Sequence, residues 1–502
     1  MSLKINVFAN YASQIYVAAV GILILPLYIK YMGAEAYGLV GFFTMLQSWF
    51  ALLDLGLTPT ISRETARYHG GAMSALAYRQ LFRSLSLIFA GVAFVGGGSL
   101  WLLSELVATR WLQVAELGLD EVVFAVQIMS ISVALRWMGG LFRGVITGSE
   151  RLVWLSGFNA LIATLRFVGV FANMWLFGFT PSVFFIHQLV VALLEVLGLF
   201  LVSRRILPAG SSLDQSIGWS FRPIKPFLRF ALTIAFTSSV WVLVMQTDKL
   251  VLSGILPLSE YGYFTFAVLA ASAIMLISAP VSAALTPRLA LLYAEGRGQE
   301  IDRLYRVASQ LVTAVTGAVA LVLVFLAEPL LLAWTGSAEV AQKAAPILEL
   351  YAAGNGLLAI SAFPYYLQYA QGNLRMHLIG HLLMLTMLVP AMVLAAIEFG
   401  VVGAGYAWLG FNSLYFLFWV PVVHRYCWPG MHARWMLKDI LPVLVPMVIV
   451  GVFFAGIDLA INSHLLLAVQ IGLISALVLL AGALGSSWLR AKVLRRSGVS
   501  RG

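Results

Sequence analysis

Uninterrupted apolar runs of about 20 residues recur from one end of the chain to the other, and that length constrains what the chain can become. At ~1.5 Å of rise per residue, each run crosses the ~30 Å hydrocarbon layer of a bilayer as a helix. In lipid every backbone N–H and C=O must be satisfied within the protein, which leaves helices or closed barrels. The alternating segments of about ten residues that build a barrel are absent. Composition agrees, because 61% of the 502 residues are hydrophobic and 10% charged, against about 25% charged in a soluble domain. Mean hydropathy is +0.94. The sequence therefore predicts an all-α polytopic membrane protein of about fourteen transmembrane helices, from a first span over 8–29 to a last over 464–486.

Lys and Arg orient these spans. One set of loops holds 25 of the 31 basic residues, including Arg63, Arg67, Arg143, Arg204, Arg288, Arg303, Arg434 and Lys492, whereas the opposite loops hold Lys30, Arg110 and Lys343. The basic side is cytoplasmic, so both termini are predicted inside. The formal net charge of +10 resides in those short loops, which reads as orientation and argues against a nucleic-acid partner. A single cysteine, Cys427, excludes an internal disulfide and a Cys-based zinc cluster. It is expected in the cytoplasmic loop after the twelfth span. No apolar segment with a small-residue cleavage site precedes the first span, so a removable signal peptide is not expected.

The longest loop, around 204–229, divides six spans from the next six, and the two halves resemble each other. Glu35-Ala36-Tyr37-Gly38 corresponds to Ser259-Glu260-Tyr261-Gly262, and Arg63, Tyr68 and Gly71 to Arg288, Tyr293 and Gly296. Matches at equivalent topological points indicate a six-span repeat about an axis along the membrane normal, an organisation found in transporters. No P-loop, H-E-x-x-H or G-x-S-x-G motif is present, so the sequence offers no catalytic residues, cofactor or metal site.

Polar residues inside spans narrow the function. A charge at the bilayer centre costs ~2.5–3.5 kcal/mol on insertion scales, so each one should face the protein interior or a wet cavity. Ser132, Arg136, Gly140 and Arg143 share a face of the fourth span; Asn159, Arg166 and Asn173 share one of the fifth; Gln188 and Glu195 share one of the sixth. Read functionally, Arg136, Arg143, Arg166, Asn159 and Glu195 line a basic cavity for an anionic head group, since a guanidinium donates two hydrogen bonds at once to phosphate oxygens. The structural alternative pairs Arg166 with Glu195 between helices and lets Arg136 snorkel to the cytoplasmic interface. Asp54, just before Gly56 and Thr58-Pro59, carries a coupling proton or cation, caps a helix end or pairs with a nearby Arg. Gly140 and Gly144 permit close helix packing.

Asn10-Tyr11-Ala12-Ser13-Gln14, Ile24-Leu25-Pro26-Leu27-Tyr28-Ile29, Met32-Gly33-Ala34-Glu35-Ala36-Tyr37-Gly38 and Leu52-Leu53-Asp54-Leu55-Gly56-Leu57 form a distinctive opening. Gln246-Thr247-Asp248-Lys249 and Glu260-Tyr261-Gly262-Tyr263 form a second block. Both resemble the Wzx-type bacterial polysaccharide and O-antigen flippases of the multidrug/oligosaccharidyl-lipid/polysaccharide superfamily. That resemblance implies a MATE-like fold with an N-terminal lobe over 1–210, a second six-helix lobe over 211–430, and two extra helices with a basic tail over 431–502. It implies a polyprenyl-pyrophosphate-linked oligosaccharide as cargo, moved through the inner membrane, with polysaccharide polymerase and chain-length machinery as further partners. For Asp248 and Lys249 it implies a gate or cavity rim, where position alone suggests interfacial anchoring. Alternatives are a drug/cation antiporter or a peptidoglycan-precursor flippase of the same fold, and a membrane glycan polymerase or ligase, which the short outer loops disfavour.

Overall fold

A computed structural model describes residues 3–54, 56–208, 225–457, 459, 463–488 and 490. The apolar runs are helical throughout, and no β-strand is present among the described residues. Up to the long loop the helices are α1 (Leu3–Met32), α2 (Ala34–Leu52), α3 (Leu57–His69), α4 (Ala75–Leu102), α5 (Leu119–Gly148), α6 (Leu152–Phe177) and α7 (Pro181–Ile206). After it come α8 (Lys225–Ile255), α9 (Leu258–Ala294), α10 (Gly298–Phe325), α11 (Ala338–Ala370), α12 (Arg375–Cys427), α13 (Met431–Ala455) and α14 (His464–Gly485). The expected lobe boundary at 210 lies outside the described residues, as does the basic tail beyond 490.

Length and hydropathy identify 11 membrane-crossing helices among the described residues, or 12 when the bent pair α2–α3 is one span. The expectation of fourteen differs from that count at two elements. α12 is 53 residues long, some 80 Å at ~1.5 Å per residue and far beyond one crossing; it breaks at Gly400, whose φ is 59°. α8, with 31 residues, stands outside the count.

The chain forms two compact units, Met1–Gly262 and Tyr263–Gly502. In the first, α5 is the central helix, packed by α2, α3, α4 and α7. Its Gly140, Gly144 and Gly148 make a groove, four residues apart, that seats α3. A Cβ on Gly144 would overlap Ile61, and one on Gly148 the Ser62 carbonyl. The small-residue spacing read from Gly140 and Gly144 thus serves helix packing within the chain. α1 is stitched along α6 by hydroxyls, with Ser13 Oγ donating to the Ser156 carbonyl at 2.8 Å and Tyr28 Oη to that of Phe167 at 2.6 Å.

The repeated Tyr-Gly motif has a packing reason. A Cβ on Gly38 would run into the Leu258 carbonyl, and one on Gly262 into the Ala34 carbonyl. Each glycine therefore receives the backbone four residues before the other, a reciprocal contact that no larger residue permits. Beside it the buried Glu35 carboxylate accepts from the amides of Ala115, Glu116 and Leu117 at 2.6, 2.8 and 3.2 Å. That anchor holds the loop between α4 and α5 against the start of α2.

In the second unit α10 is the hub, packed by α11, α13 and α14. Ala314, Ala318 and Val322 meet Val443, Met447, Leu467, Ile471 and Val478 in a continuous apolar core. At one end of that core Asp439 is fully buried. It accepts from Arg306 Nε at 2.8 Å, Arg306 Nη2 at 3.1 Å and Gln310 Nε2 at 2.6 Å. Gln310 Oε1 in turn accepts from Ser486 Oγ at 2.7 Å and the Trp488 amide at 3.2 Å, tying the last helix to α10. Cys427 ends α12 with its thiol buried in an apolar cluster, so it does not lie in an open loop.

Candidate functional site

Helices α2, α5, α6 and α7 of the first unit bring their polar positions together. Arg143 Nη2 and Arg166 Nη2 donate to the two oxygens of Glu195, at 2.8 and 2.9 Å. Arg143 Nη1 donates to Asn159 Oδ1 at 2.7 Å. Two turns away on the same face of α5, Arg136 donates through Nη1 to Gln47 Oε1 at 2.8 Å and through Nη2 to Gln188 Oε1 at 2.7 Å. Its guanidinium lies 5.1 Å from the Phe43 ring centroid, within cation–π range. All five residues expected to line a cavity, Arg136, Arg143, Asn159, Arg166 and Glu195, thus belong to one neighbourhood.

The local backbone of α6 contributes. Residues Leu165–Gly169 form a π-helical turn, a geometry that widens the helix and recurs at functional sites. Two side chains of α7 bond to carbonyls in this turn. His187 Nε2 lies 2.9 Å from the Leu165 carbonyl, and Gln188 Nε2 donates to that of Arg166 at 3.0 Å. Gln188 therefore joins the backbone of Arg166 to the guanidinium of Arg136. Gln47 is fixed in the same way, its Nε2 donating to the Phe43 carbonyl at 3.3 Å while its oxygen faces Arg136.

The charges in this cluster do not balance. Three guanidinium groups accompany one carboxylate, which contacts two of them, and this leaves an excess of two positive charges. Glu195 is 10% exposed, whereas Arg143 and Arg166 are 34% and 27% exposed. Nε of Arg136 and Nε of Arg166 are buried with no hydrogen-bond partner. Such a set of donors can accept an oxyanion without first breaking all its own bonds.

The remaining sequence-predicted residues form pairs of their own. Asp54 Oδ1 accepts from the Thr58 amide at 3.1 Å, and from its hydroxyl, at the start of α3. On α8, Lys249 Nζ donates to Asp248 Oδ1 at 3.2 Å and to the Met245 carbonyl at 2.8 Å, and Asp248 is buried. Among the described residues no group of three or more His, Cys, Asp and Glu is placed to hold a metal ion. Sequence reasoning missed Gln47 and Phe43. The available signal was Gln47 itself, a polar residue inside the apolar run of α2.

Comparison with known proteins places the chain in a family. The sequence profile described as polysaccharide biosynthesis protein matches residues 3–293. Among solved structures the chain is similar to the lipid II flippase MurJ in an inward closed conformation, with TM-score 0.71 and 14% identity over 97% of this chain and 99% of that one. It is also similar to an inward-facing multidrug resistance MATE family transporter of the MOP superfamily, with TM-score 0.64 and 13% identity over 82% and 96% of the two chains. The MATE multidrug transporter DinF-BH aligns with TM-score 0.54 and 16% identity over 84% and 95%. At these identities the likeness is one of fold. No curated protein shows a significant sequence match. With more than half of its length matched by the profile, and on a fold shared with flippases and drug transporters, the chain belongs to the polysaccharide biosynthesis protein family.

Proposed function

We propose that the protein is a flippase for a polyprenyl-pyrophosphate-linked oligosaccharide, an O-antigen or exopolysaccharide repeat unit, carried across the bacterial inner membrane by alternating access. The observation that carries this reading is the uncompensated cluster of Arg136, Arg143 and Arg166 around Glu195. An excess of positive charge on membrane helices is expensive, and a purely structural network would be expected to balance it. A diphosphate bridge supplies the missing negative charge, and Asn159 adds a neutral partner for the head group. A glycan crossing hydrocarbon unaided would strip its hydroxyls of water at ~1–3 kcal/mol or more each, so a polar path through the protein is what such a cargo needs.

In this reading both termini are cytoplasmic, and Asp54, Asp248 and Lys249 serve as gate or coupling residues. The polymerase and chain-length machinery receive the product. The test is deletion of the gene followed by analysis of lipid-linked glycans. Accumulation of a complete repeat unit on its polyprenyl carrier at the cytoplasmic face is expected. A second reading rests on the similarity to a lipid II flippase over 97% of the chain. Accumulation of the peptidoglycan precursor in the same experiment would select it.

A further inference from the structure

Arg136 differs from its two neighbours in what holds it. Arg143 and Arg166 are anchored on the Glu195 carboxylate. Arg136 is anchored on two amide oxygens, those of Gln47 and Gln188. Both amides have a fixed orientation, because the NH2 group of each donates to a main-chain carbonyl, of Phe43 for Gln47 and of Arg166 for Gln188. Their acceptor oxygens therefore have to face the guanidinium. A glutamate at either position would be nearly the same size and also an acceptor, and it would neutralise Arg136. The chain instead holds this side chain in place and leaves its charge uncompensated.

From this we infer that Gln47 and Gln188 determine the site's specificity, by keeping its excess at two positive charges and so matching it to a head group with two negative charges. A diphosphate diester has that charge, whereas a monophosphate diester carries one. The inference rests on the anion-binding role proposed above and deepens it. Neither glutamine need touch the cargo, because each acts through the guanidinium it holds.

The experiment uses the full-length protein in detergent micelles and two soluble probes, farnesyl diphosphoglucose with two charges and farnesyl phosphoglucose with one. Binding of each is measured alongside the melting temperature. The wild type should prefer the diphosphate probe. Gln47→Glu and Gln188→Glu should each weaken that probe by about tenfold or more, the scale of one charge-assisted contact, and affect the monophosphate probe less. The melting temperature separates binding from folding, because each variant gains an ion pair with Arg136 and loses the amide donor to the carbonyl of Phe43 or Arg166. Gln47→Met, which removes the acceptor and adds no charge, should keep the preference. That contrast holds even if Gln188→Glu fails to fold, because Gln47 is only half-buried.

Glutamate variants that bind both probes like the wild type, while Arg136→Gln loses the diphosphate probe, would overturn this inference and leave the proposed site standing. Equal losses in Gln47→Met and Gln47→Glu would also overturn it, by showing that the glutamine acts through shape. If wild type, Arg136→Gln and Arg166→Gln all bind alike, the anion site itself is refuted.

Discussion

Each unit contains a charged cluster among its helices, and the two are built on opposite terms. In the second unit one arginine meets one aspartate. Arg306 clasps Asp439 with two nitrogens, Gln310 fills the same carboxylate, and Ser486 and Trp488 close the other side of Gln310. Asp439 has no exposed surface. In the first unit three arginines accompany one glutamate, which pairs with two of them, and two buried Nε groups have no partner. A cluster that balances its charge and leaves no buried donor open is a fastener. One that leaves both incomplete is poised to receive something, and this difference separates the two more clearly than depth in the membrane or residue type.

The largest effect is expected at the fastener. Asp439→Asn removes the fully buried partner of Arg306, whose side chain is 24% exposed, and breaking a buried pair costs up to about 3–5 kcal/mol. Protein abundance in the membrane should fall sharply, and the residual protein should export in proportion to its amount. Stable, abundant and inactive Asp439→Asn protein would move the second cluster into the functional class and erase the contrast.

The first cluster should respond in activity ahead of abundance. Arg136→Gln removes donors worth ~1.5–3 kcal/mol when they meet a charged group, so surface glycan should drop by roughly ten- to a hundredfold with the protein still inserted. Arg136→Lys should retain part of the activity, because it keeps the charge and loses the fork. A loss of abundance equal to the loss of export would mark Arg136 as structural.

Glu195 sharpens the comparison further, because it serves two arginines. Arg166→Gln leaves it paired with Arg143, so abundance should change little. Glu195→Gln leaves three cations together and should be the less abundant single variant. Combining the two changes should recover abundance and not export. Scoring both readouts over the four combinations isolates the coupling, and recovery of export in the double variant would sink the cargo role of Arg166.

Much of this was legible in the chain. Apolar length fixed the helical class. Helical spacing placed Arg136, Arg143, Asn159, Arg166 and Glu195 on inward faces, because a charge has few other places to go in lipid. Which partners they take was not legible, since that depends on the register between helices. Seven-residue spacing shows that Glu195 and Arg166 both face inward; it does not show that Arg143 reaches the same carboxylate. Gln47 went unnoticed because a lone amide in an apolar run looks like a tolerated impurity until a guanidinium is seen beside it. The break at Gly400 was legible too, since it falls two residues after Glu398, between two apolar runs each long enough to cross the membrane. The burial of Cys427 was missed because a basic, loop-like stretch in sequence proved to be the packed end of α12.

The smallest effect is expected outside both clusters, and it tests whether a cation by itself means anything here. Arg434 is exposed and reaches Asp302 at 3.4 Å, a surface pair of the kind worth about 0–1 kcal/mol. Arg434→Cys should therefore leave abundance and export near wild-type levels, in contrast to a single change at Arg136. The same variant reports topology, which the buried Cys427 cannot do well. With Cys427→Ser in the background, the new thiol should react with a membrane-impermeant reagent in inverted vesicles and stay unmodified in intact cells. Labelling from outside would reverse the assignment of the basic loops to the cytoplasm. A severe export defect with normal topology would show that charge on this surface contributes to transport. Function would then have to be sought in both units, and the contrast between receptor and fastener would weaken accordingly.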